Sequence, residues 1–97
     1  MEGYSMPDLL TFDETQLKSM IGIVEDVRDK MVLSKSNFDD YIANQLKPSW
    51  TTEGGLNTIS GLESFSNSNI QSFIEYINER IQDLYSALES VQNIDIA

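Results

Sequence analysis

The sequence predicts an all-α fold in which two long helices form an antiparallel hairpin. Two observations lead to this prediction: an apolar repeat with helical spacing runs through each half of the 97 residues, and a segment with a proline and two glycines separates the halves. We expect one domain over 1–97, with helix 1 at about 12–46, a turn at about 47–55, helix 2 at about 56–92 and short flexible ends.

Helix 1 has a start signal followed by a long apolar seam. Thr11 and Glu14 are spaced as a capping box, in which the threonine oxygen accepts from an early helical N–H and the glutamate reaches back to the cap. Apolar residues then recur every three or four positions, and only Ser34 interrupts them with a polar group. Pro48 ends the pattern, because proline lacks the N–H and restricts the residue before it. The seam of helix 1 comprises Leu17, Met20, Val24, Val27 and Met31.

The central turn contains the single tryptophan, Trp50, followed by Gly54 and Gly55. The glycines are not a phosphate-binding loop, because neither a basic residue nor a Ser/Thr-Lys pattern follows them. The end of one helix and the start of the next account for the pair. The simplest role for the indole is to close the end of the hairpin over Leu46 and Leu56.

Helix 2 repeats the apolar spacing, weakly at first and strongly from Ile70 onward. The polar run 66–69, Ser-Asn-Ser-Asn, precedes the strong part and has poor helix propensity, so it is a candidate for a cap or a kink. The seam of helix 2 comprises Ile70, Ile74, Ile77, Ile81 and Leu84.

The two seams are compatible with an antiparallel register. If the chain folds back at about residue 50, the numbers of paired residues should sum to about 101. The polar Ser34 then lies opposite the polar Asn67, which supports the register. The apolar pairs are Leu17 with Leu84, Met20 with Ile81, Val24 with Ile77, Val27 with Ile74, and Met31 with Ile70.

Several large apolar residues remain outside the seam, and they suggest a second apolar face. A second hairpin would cover this face and give a four-helix bundle from two chains. The alternative is a monomer with scattered surface hydrophobes, which is common among proteins. The proposed dimer face comprises Ile21, Ile42, Phe65, Phe73 and Tyr76.

Charge and apolar content limit the classes of partner. The chain has 16 Asp and Glu against 6 Lys and Arg, a net charge of −10, which repels nucleic-acid phosphates and anionic lipid heads. The sequence therefore predicts no nucleic-acid partner. No window approaches the roughly 18 consecutive apolar residues of a spanning helix, so we expect no direct membrane insertion. The first ten residues lack a basic cluster ahead of an apolar run and do not resemble a secretory signal peptide.

The residue types argue against catalysis. The chain contains neither histidine nor cysteine, and no motif frames a serine, lysine or carboxylate as a nucleophile or base. Glu75, Glu79 and Asp83 lie four apart on one helix face and could hold a hard cation, but such residues more often form a solvated acidic face. We predict no enzyme activity, no cofactor and no bound metal.

The combined features resemble a known family of secreted proteins. A short acidic chain without cysteine, two helices and a central Trp-Gly turn are similar to the Trp-x-Gly (WXG, early-secreted-antigen-like) family of type VII secretion systems. Trp50 is followed by Gly54 and Gly55, whereas the strict motif would place glycine at position 52, which is Thr. Tyr85 is followed four positions later by Glu89, which matches the family's second signature.

The resemblance implies a small secreted substrate or export partner. Such a protein leaves the cytoplasm as a folded dimer through a membrane ATPase channel, without a cleaved signal peptide. Its partners would be a second copy or a related small helical protein, the type VII ATPase and, in one branch of the family, a larger helical effector that it escorts. The resemblance also implies that Trp50 of one chain lies near Tyr85 and Glu89 of the other, so the export signal is complete only after pairing.

A different class of function is also compatible with the sequence. A cytoplasmic coiled-coil adaptor or regulator, which binds a partner helix and is never secreted, would show the same seams and the same charge. A gene for a type VII ATPase or a helical-domain toxin beside this one would favour export.

Overall fold

A computed structural model describes the backbone of residues 6–96 and the side chains of residues 8–93. The described backbone is helical except at 10–13 and 50–52 and contains no strand. The predicted all-α fold, with two long helices that form a hairpin, is confirmed. In chain order the elements are α1 (Met6–Leu9), α2 (Glu14–Tyr41), a π-helical turn π1 (Ile42–Leu46), α3 (Lys47–Ser49), α4 (Glu53–Ser64), a second π-helical turn π2 (Phe65–Ile70) and α5 (Gln71–Ile96).

The helices at the two ends extend further than the predicted bounds of about 12–92: α1 covers Met6–Leu9 and α5 continues to Ile96. Flexibility of the chain ends stays a prediction. Residues 1–5 and 97 lie outside the described residues.

The start of α2 uses a capping box two residues later than expected. Asp13 Oδ1 accepts from the N–H of Gln16 at 2.8 Å, and Gln16 Oε1 accepts from the N–H of Asp13 at 2.9 Å. Thr11 Oγ1 instead donates to the carbonyl of Asp8 at 2.8 Å, just beyond α1. The two reciprocal bonds satisfy early N–H groups of α2, so this helix starts at Glu14.

The first long helical segment continues through Pro48 and ends at Ser49, not at residue 46 as predicted. The π1 turn directly precedes the proline, and within it the N–H of Lys47 donates to the carbonyl of Ile42, five residues back. A proline in a regular α-helix clashes with the carbonyl four residues earlier, and a wider turn relieves this crowding. The predicted turn at 47–55 is therefore reduced to 50–52.

The polar run 66–69 forms a π-helical turn within a continuous helical segment. Ser66 in this turn is fully buried, and its hydroxyl donates to Asp39 Oδ1 on α2. A buried hydroxyl needs such a partner, because leaving it unpaired costs about 1–3 kcal/mol. The predicted irregularity is present, and a hydrogen bond to the facing helix stabilises it.

The described chain divides into two compact units. Unit 1 combines Met1–Arg28 with Tyr76–Ala97, and unit 2 is Asp29–Glu75. In unit 1 the core contains Leu9, Leu17, Ile21, Leu84 and Ala87, with Met20, Val24, Leu88 and Val91 packed against it. In unit 2 the buried apolar side chains include Ile42, Ile59 and Ile74.

The predicted seam is more fully buried on helix 2 than on helix 1. Ile74, Ile77, Ile81 and Leu84 are buried, whereas Leu17 is the only seam residue of helix 1 that is fully buried. Val27 is 45% exposed, so its assignment to the seam was wrong. The remaining seam residues are partly buried: Met20, Val24, Met31 and Ile70.

The predicted dimer face needs a similar correction. Ile21 and Ile42 are buried within units 1 and 2 respectively, so they do not lie on a free face. Phe65 and Phe73 are about half exposed, and Tyr76 is partly buried. In the described chain, three of the five residues therefore retain surface that a partner could cover.

In unit 2 the register differs from the expected one by about one helical turn, because the bonded residues Asp39 and Ser66 have numbers that sum to 105 and not to 101. Ser34 and Asn67, which were expected to face each other, are both exposed, and Ser66 bonds to Asp39 instead. The edge-on contact of Phe38 with Phe65, with ring centroids 6.5 Å apart, lies at the same level of unit 2. A heptad pattern shifted by three or four residues still places apolar groups in the seam, so the pattern alone could not distinguish these registers.

Candidate functional site

The tryptophan turn lies in unit 2 between α3 and α4. The backbone N–H of Trp50 donates to the carbonyl of Leu46 at 2.9 Å, which ends the preceding helical segment. Thr52 caps α4, and its Oγ1 accepts from the N–H of Gly55 at 3.1 Å. The indole of Trp50 is 42% exposed, so this side chain is held at the surface by defined backbone contacts.

The indole lies directly against Gly55. A methyl group at position 55 would come within 2.6 Å of the indole Nε1 and closer still to Cγ and Cδ1 of Trp50. A methyl group at Gly54 would meet nothing within 4 Å. Leu56, over which the indole would close if its role were only to end the hairpin, is more than half exposed. Of the two adjacent glycines, only Gly55 is required by the position of the tryptophan.

The second predicted signal, Tyr85 and Glu89, lies in unit 1 on α5. Tyr85 is 45% exposed and Glu89 is exposed. The phenolic O–H of Tyr85 donates to Glu25 Oε2 on α2 at 2.9 Å. This hydrogen bond raises the pKa of the Tyr85 phenol, because ionisation would remove the donor and place two negative charges side by side. The phenol therefore remains a protonated donor at neutral pH.

Sequence reasoning missed Glu25. The chain separates Glu25 and Tyr85 by 60 positions, and the expected register places Tyr85 opposite Gln16, which lies about two and a half turns of α2 before Glu25. A register argument based on polar pairs, rather than on the heptad alone, could have suggested this contact.

A groove in unit 1 was also not anticipated. Its volume is about 630 Å³, which lies within the range of 300–1,000 Å³ common for binding clefts. The apolar part of the wall comes from α1, the segment after it, α2 and α5, and charged groups lie on the α1 and α5 sides. The lining residues are Asp8, Leu9, Thr11, Phe12, Met20, Ile23, Val24, Arg80, Asp83 and Leu84.

The charged residues beside the groove form ion pairs around Arg80. Its Nε lies 3.1 Å from Asp83 Oδ2, a contact that lacks hydrogen-bond alignment, and its NH2 group lies 3.4 Å from Glu79 Oε2. The guanidinium carbon stands 4.9 Å above the centre of the Tyr76 ring. Two of the three carboxylates considered for a cation are thus paired with an arginine. Within residues 8–93, no group of three or more metal-binding side chains comes together.

Unit 2 has polar contacts of its own, one within α2 and two between helices. Lys35 Nζ lies 2.9 Å from Asp39 Oδ2, and Asp39 also accepts from Ser66. The hydrogen bond from the Ser66 hydroxyl lowers the pKa of the Asp39 carboxyl below its ordinary value, and the bond from Lys35 has the next largest effect in the same direction. Lys47 and Glu63 form an ion pair at 2.8 Å. These contacts fix the helices of unit 2 on either side of the two π-helical turns.

Searches of protein-family models, of curated proteins and of solved structures find no match to this chain. None of the helices in the described part of the chain has both the length and the apolar character needed to cross a membrane. Among the described residues, three surface features stand out: the indole on Gly55, the tyrosine bonded to Glu25 and the apolar groove.

Proposed function

We propose that this protein is a small secreted substrate or export partner of a bacterial type VII secretion system. It leaves the cytoplasm as a folded helical dimer, without a cleaved signal peptide. The observation that supports this most directly is the hairpin turn, in which the indole of Trp50 lies against Gly55 and remains 42% exposed.

The contact between Trp50 and Gly55 reconciles the looser motif with the Trp-x-Gly resemblance. Thr52 occupies the position where the strict motif has glycine, and it serves as the cap of α4. Gly55 has no side chain, so the indole rests directly on its backbone. A solvent-accessible, well-positioned indole is a suitable anchor for a receptor, since tryptophan is enriched among residues that dominate interfaces.

The second recognition element is Tyr85 with Glu89 in unit 1. Both are accessible, and the spacing of four positions places them on one face of α5. An aromatic ring beside a carboxylate gives a receptor both an apolar and a charged contact. The type VII ATPase is the partner that we propose for this surface.

Pairing is supported by apolar surface that the two units leave uncovered. In unit 1, Ile23 is 63% exposed beside the groove, and Val27 extends the apolar surface by one turn of α2. In unit 2, Phe65 and Phe73 are about half exposed. A second copy, or a related small helical protein, would bury these side chains and contribute about 25 cal/mol for each Å² of apolar surface covered. A larger helical effector with an apolar helix face is a further partner that could cover the same side chains.

Secretion of tagged protein from a strain with a working type VII channel tests the proposal. We expect Trp50→Ala, Tyr85→Ala and Glu89→Ala each to remain in the cell, with little loss of helicity because these side chains are at the surface. Tyr41→Ala is the matched control, since Tyr41 is also an exposed tyrosine on a long helix. Secretion of all three variants at the parent level would refute the proposal. Failure of the parent itself to leave the cell would favour the cytoplasmic adaptor.

Sedimentation of the purified protein tests pairing. We expect Ile23→Asp to abolish the dimer and keep the hairpin folded, because the native side chain is mostly exposed in the single chain. Ser36→Asp adds the same charge at an exposed polar position of α2 and should still pair. A parent that is monomeric at tens of micromolar, alone and with every co-encoded small helical protein, would show that pairing is wrong.

A further inference from the structure

The tyrosine of the proposed export signal is attached to the other long helix of the hairpin. We propose that Glu25 is a positioning residue for Tyr85, so that the recognition surface is completed by α2 and α5 together and is absent from α5 alone. This inference rests on the proposed function and assigns a role to a residue outside both sequence motifs.

The geometry of the contact supports a positioning role. Glu25 Oε2 and the Tyr85 hydroxyl are 2.9 Å apart, within normal hydrogen-bond length. Glu25 is partly buried, whereas nearly half of the Tyr85 surface faces solvent. The contact therefore engages the hydroxyl end of the side chain and leaves part of the ring accessible to a receptor.

The charges around the phenol are consistent with a lasting contact. The Glu25 carboxylate is the acceptor and also the largest influence on the phenol, whose pKa it raises. Arg28, one turn further along α2, acts in the opposite direction. Because the phenol stays protonated across the physiological range, the donor that this hydrogen bond needs is always present.

The expected effect of losing the contact follows from rotamer populations. A tyrosine on a helix has two main staggered χ1 states, because the third clashes with the preceding turn, and the hydrogen bond selects one of the two. If the receptor binds only that state, release of the ring lowers the competent fraction to about one half and weakens apparent affinity about twofold. Rotation about χ2 and motion of the helix would extend the loss towards about tenfold.

Export rates of Glu25→Ala, Tyr85→Phe, their double variant and Glu25→Gln, in the full-length protein, test the inference. Glu25→Ala and Tyr85→Phe each remove one partner of the same bond, so both should export about two- to tenfold more slowly than the parent, and the double variant should be no slower. Glu25→Gln keeps an acceptor oxygen and should export at nearly the parent rate. The same variant removes the negative charge, so the pKa of Tyr85, followed by NMR of its ring protons, should move down towards its ordinary value.

The control removes a different hydrogen bond between the same two helices. Gln92 Nε2 donates to Glu14 Oε1 at 3.1 Å in unit 1, and Glu14→Ala abolishes that contact without touching Tyr85. We expect this variant to export like the parent. Circular dichroism of each variant shows whether the hairpin is folded, and Tyr85→Phe provides the test if Glu25→Ala does not fold.

The outcomes separate this inference from the proposed function. If Tyr85→Ala stays in the cell while Glu25→Ala and Tyr85→Phe export at the parent rate, the tyrosine is recognised without its tether and the inference is refuted. If Glu14→Ala slows export as much as Glu25→Ala, the effect reflects general loosening of the hairpin and the positioning role is also refuted. If Tyr85→Ala itself exports normally, Tyr85 is not recognised and this inference is refuted; the proposed function fails with it only if Trp50→Ala and Glu89→Ala also export at the parent level.

Discussion

Substitution of the two adjacent glycines by alanine gives a direct test of the tryptophan turn. Both glycines lie in the first turn of α4, and neither has a positive φ angle, so alanine fits the backbone at either position. The positions differ in their surroundings. Nothing lies within 4 Å of a methyl group at Gly54, whereas a methyl group at Gly55 would collide with the indole of Trp50.

The expected magnitudes follow from two opposing effects. Replacing glycine by alanine in a helix contributes about 0.5–1 kcal/mol through lower entropy of the unfolded chain. Gly54→Ala should gain up to this amount. Gly55→Ala gains the same and loses about 1–3 kcal/mol through overpacking, because the indole must move off the helix. The difference between the two variants should therefore be about 1–3 kcal/mol, with Gly55→Ala the less stable.

Thermal denaturation followed by circular dichroism measures this difference. For a domain of this size, 1 kcal/mol corresponds to about 4–8 °C in Tm, so the two midpoints should be separated by at least about 4 °C. Trp50 is the single tryptophan, and its fluorescence should shift to longer wavelength in Gly55→Ala as the indole enters water. Equal Tm values and unchanged emission in both variants would show that the indole does not rest on Gly55.

Three further predictions concern stability. Ile77→Asp should unfold the hairpin, because Ile77 is buried and an unpaired carboxylate there costs several kcal/mol of a total free energy of unfolding of about 5–15 kcal/mol. Loss of the helical circular dichroism signal detects this, and a folded variant would refute the place of Ile77 in the core. Ser66→Ala should lower the free energy of unfolding more at pH 7 than in acid, because the Ser66 hydroxyl holds the folded pKa of Asp39 below its unfolded value. The stability that comes from this hydrogen bond to the carboxylate is complete above the unfolded pKa and is lost as pH falls through the folded pKa. An equal loss in urea denaturation at both pH values would contradict that linkage. Gly61→Ala, at a helical position where a methyl group meets nothing, should raise the urea midpoint, and a lower midpoint would indicate an unseen contact.

The apolar pattern predicted helix 2 more accurately than helix 1. On α5 the repeating residues Ile74, Ile77, Ile81 and Leu84 are buried, and the last two of the repeat, Leu88 and Val91, are partly buried. On α2 apolar residues occupy more than one face, and the structure buries Leu17 and Ile21 but leaves Ile23 mostly exposed. Spacing alone ranks such faces equally, because it does not show which one meets the facing helix.

Polar contacts decide what the apolar pattern leaves open. Shifting one heptad helix against another by one turn preserves apolar contact along the seam, so the energy difference between registers is small. The buried hydroxyl of Ser66 must have a partner, and Asp39 provides it at the observed register. In unit 1, the hydrogen bond of Tyr85 to Glu25 likewise joins α5 to α2. For this reason the candidate site could be predicted on α5 but not on α2.

The tryptophan turn shows why spacing in a motif is an indirect measure of contact. The distance along the chain from Trp50 to the glycine that it touches depends on where the next helix begins. Thr52 caps α4, so Glu53 is its first residue and Gly55 its third. A helix turns by about 100° per residue, and successive positions therefore point in different directions. Gly55 faces the indole and Gly54 faces open space, although the two are neighbours in sequence. In this chain the residue without a side chain is therefore needed at the third position of α4, where the backbone meets the indole.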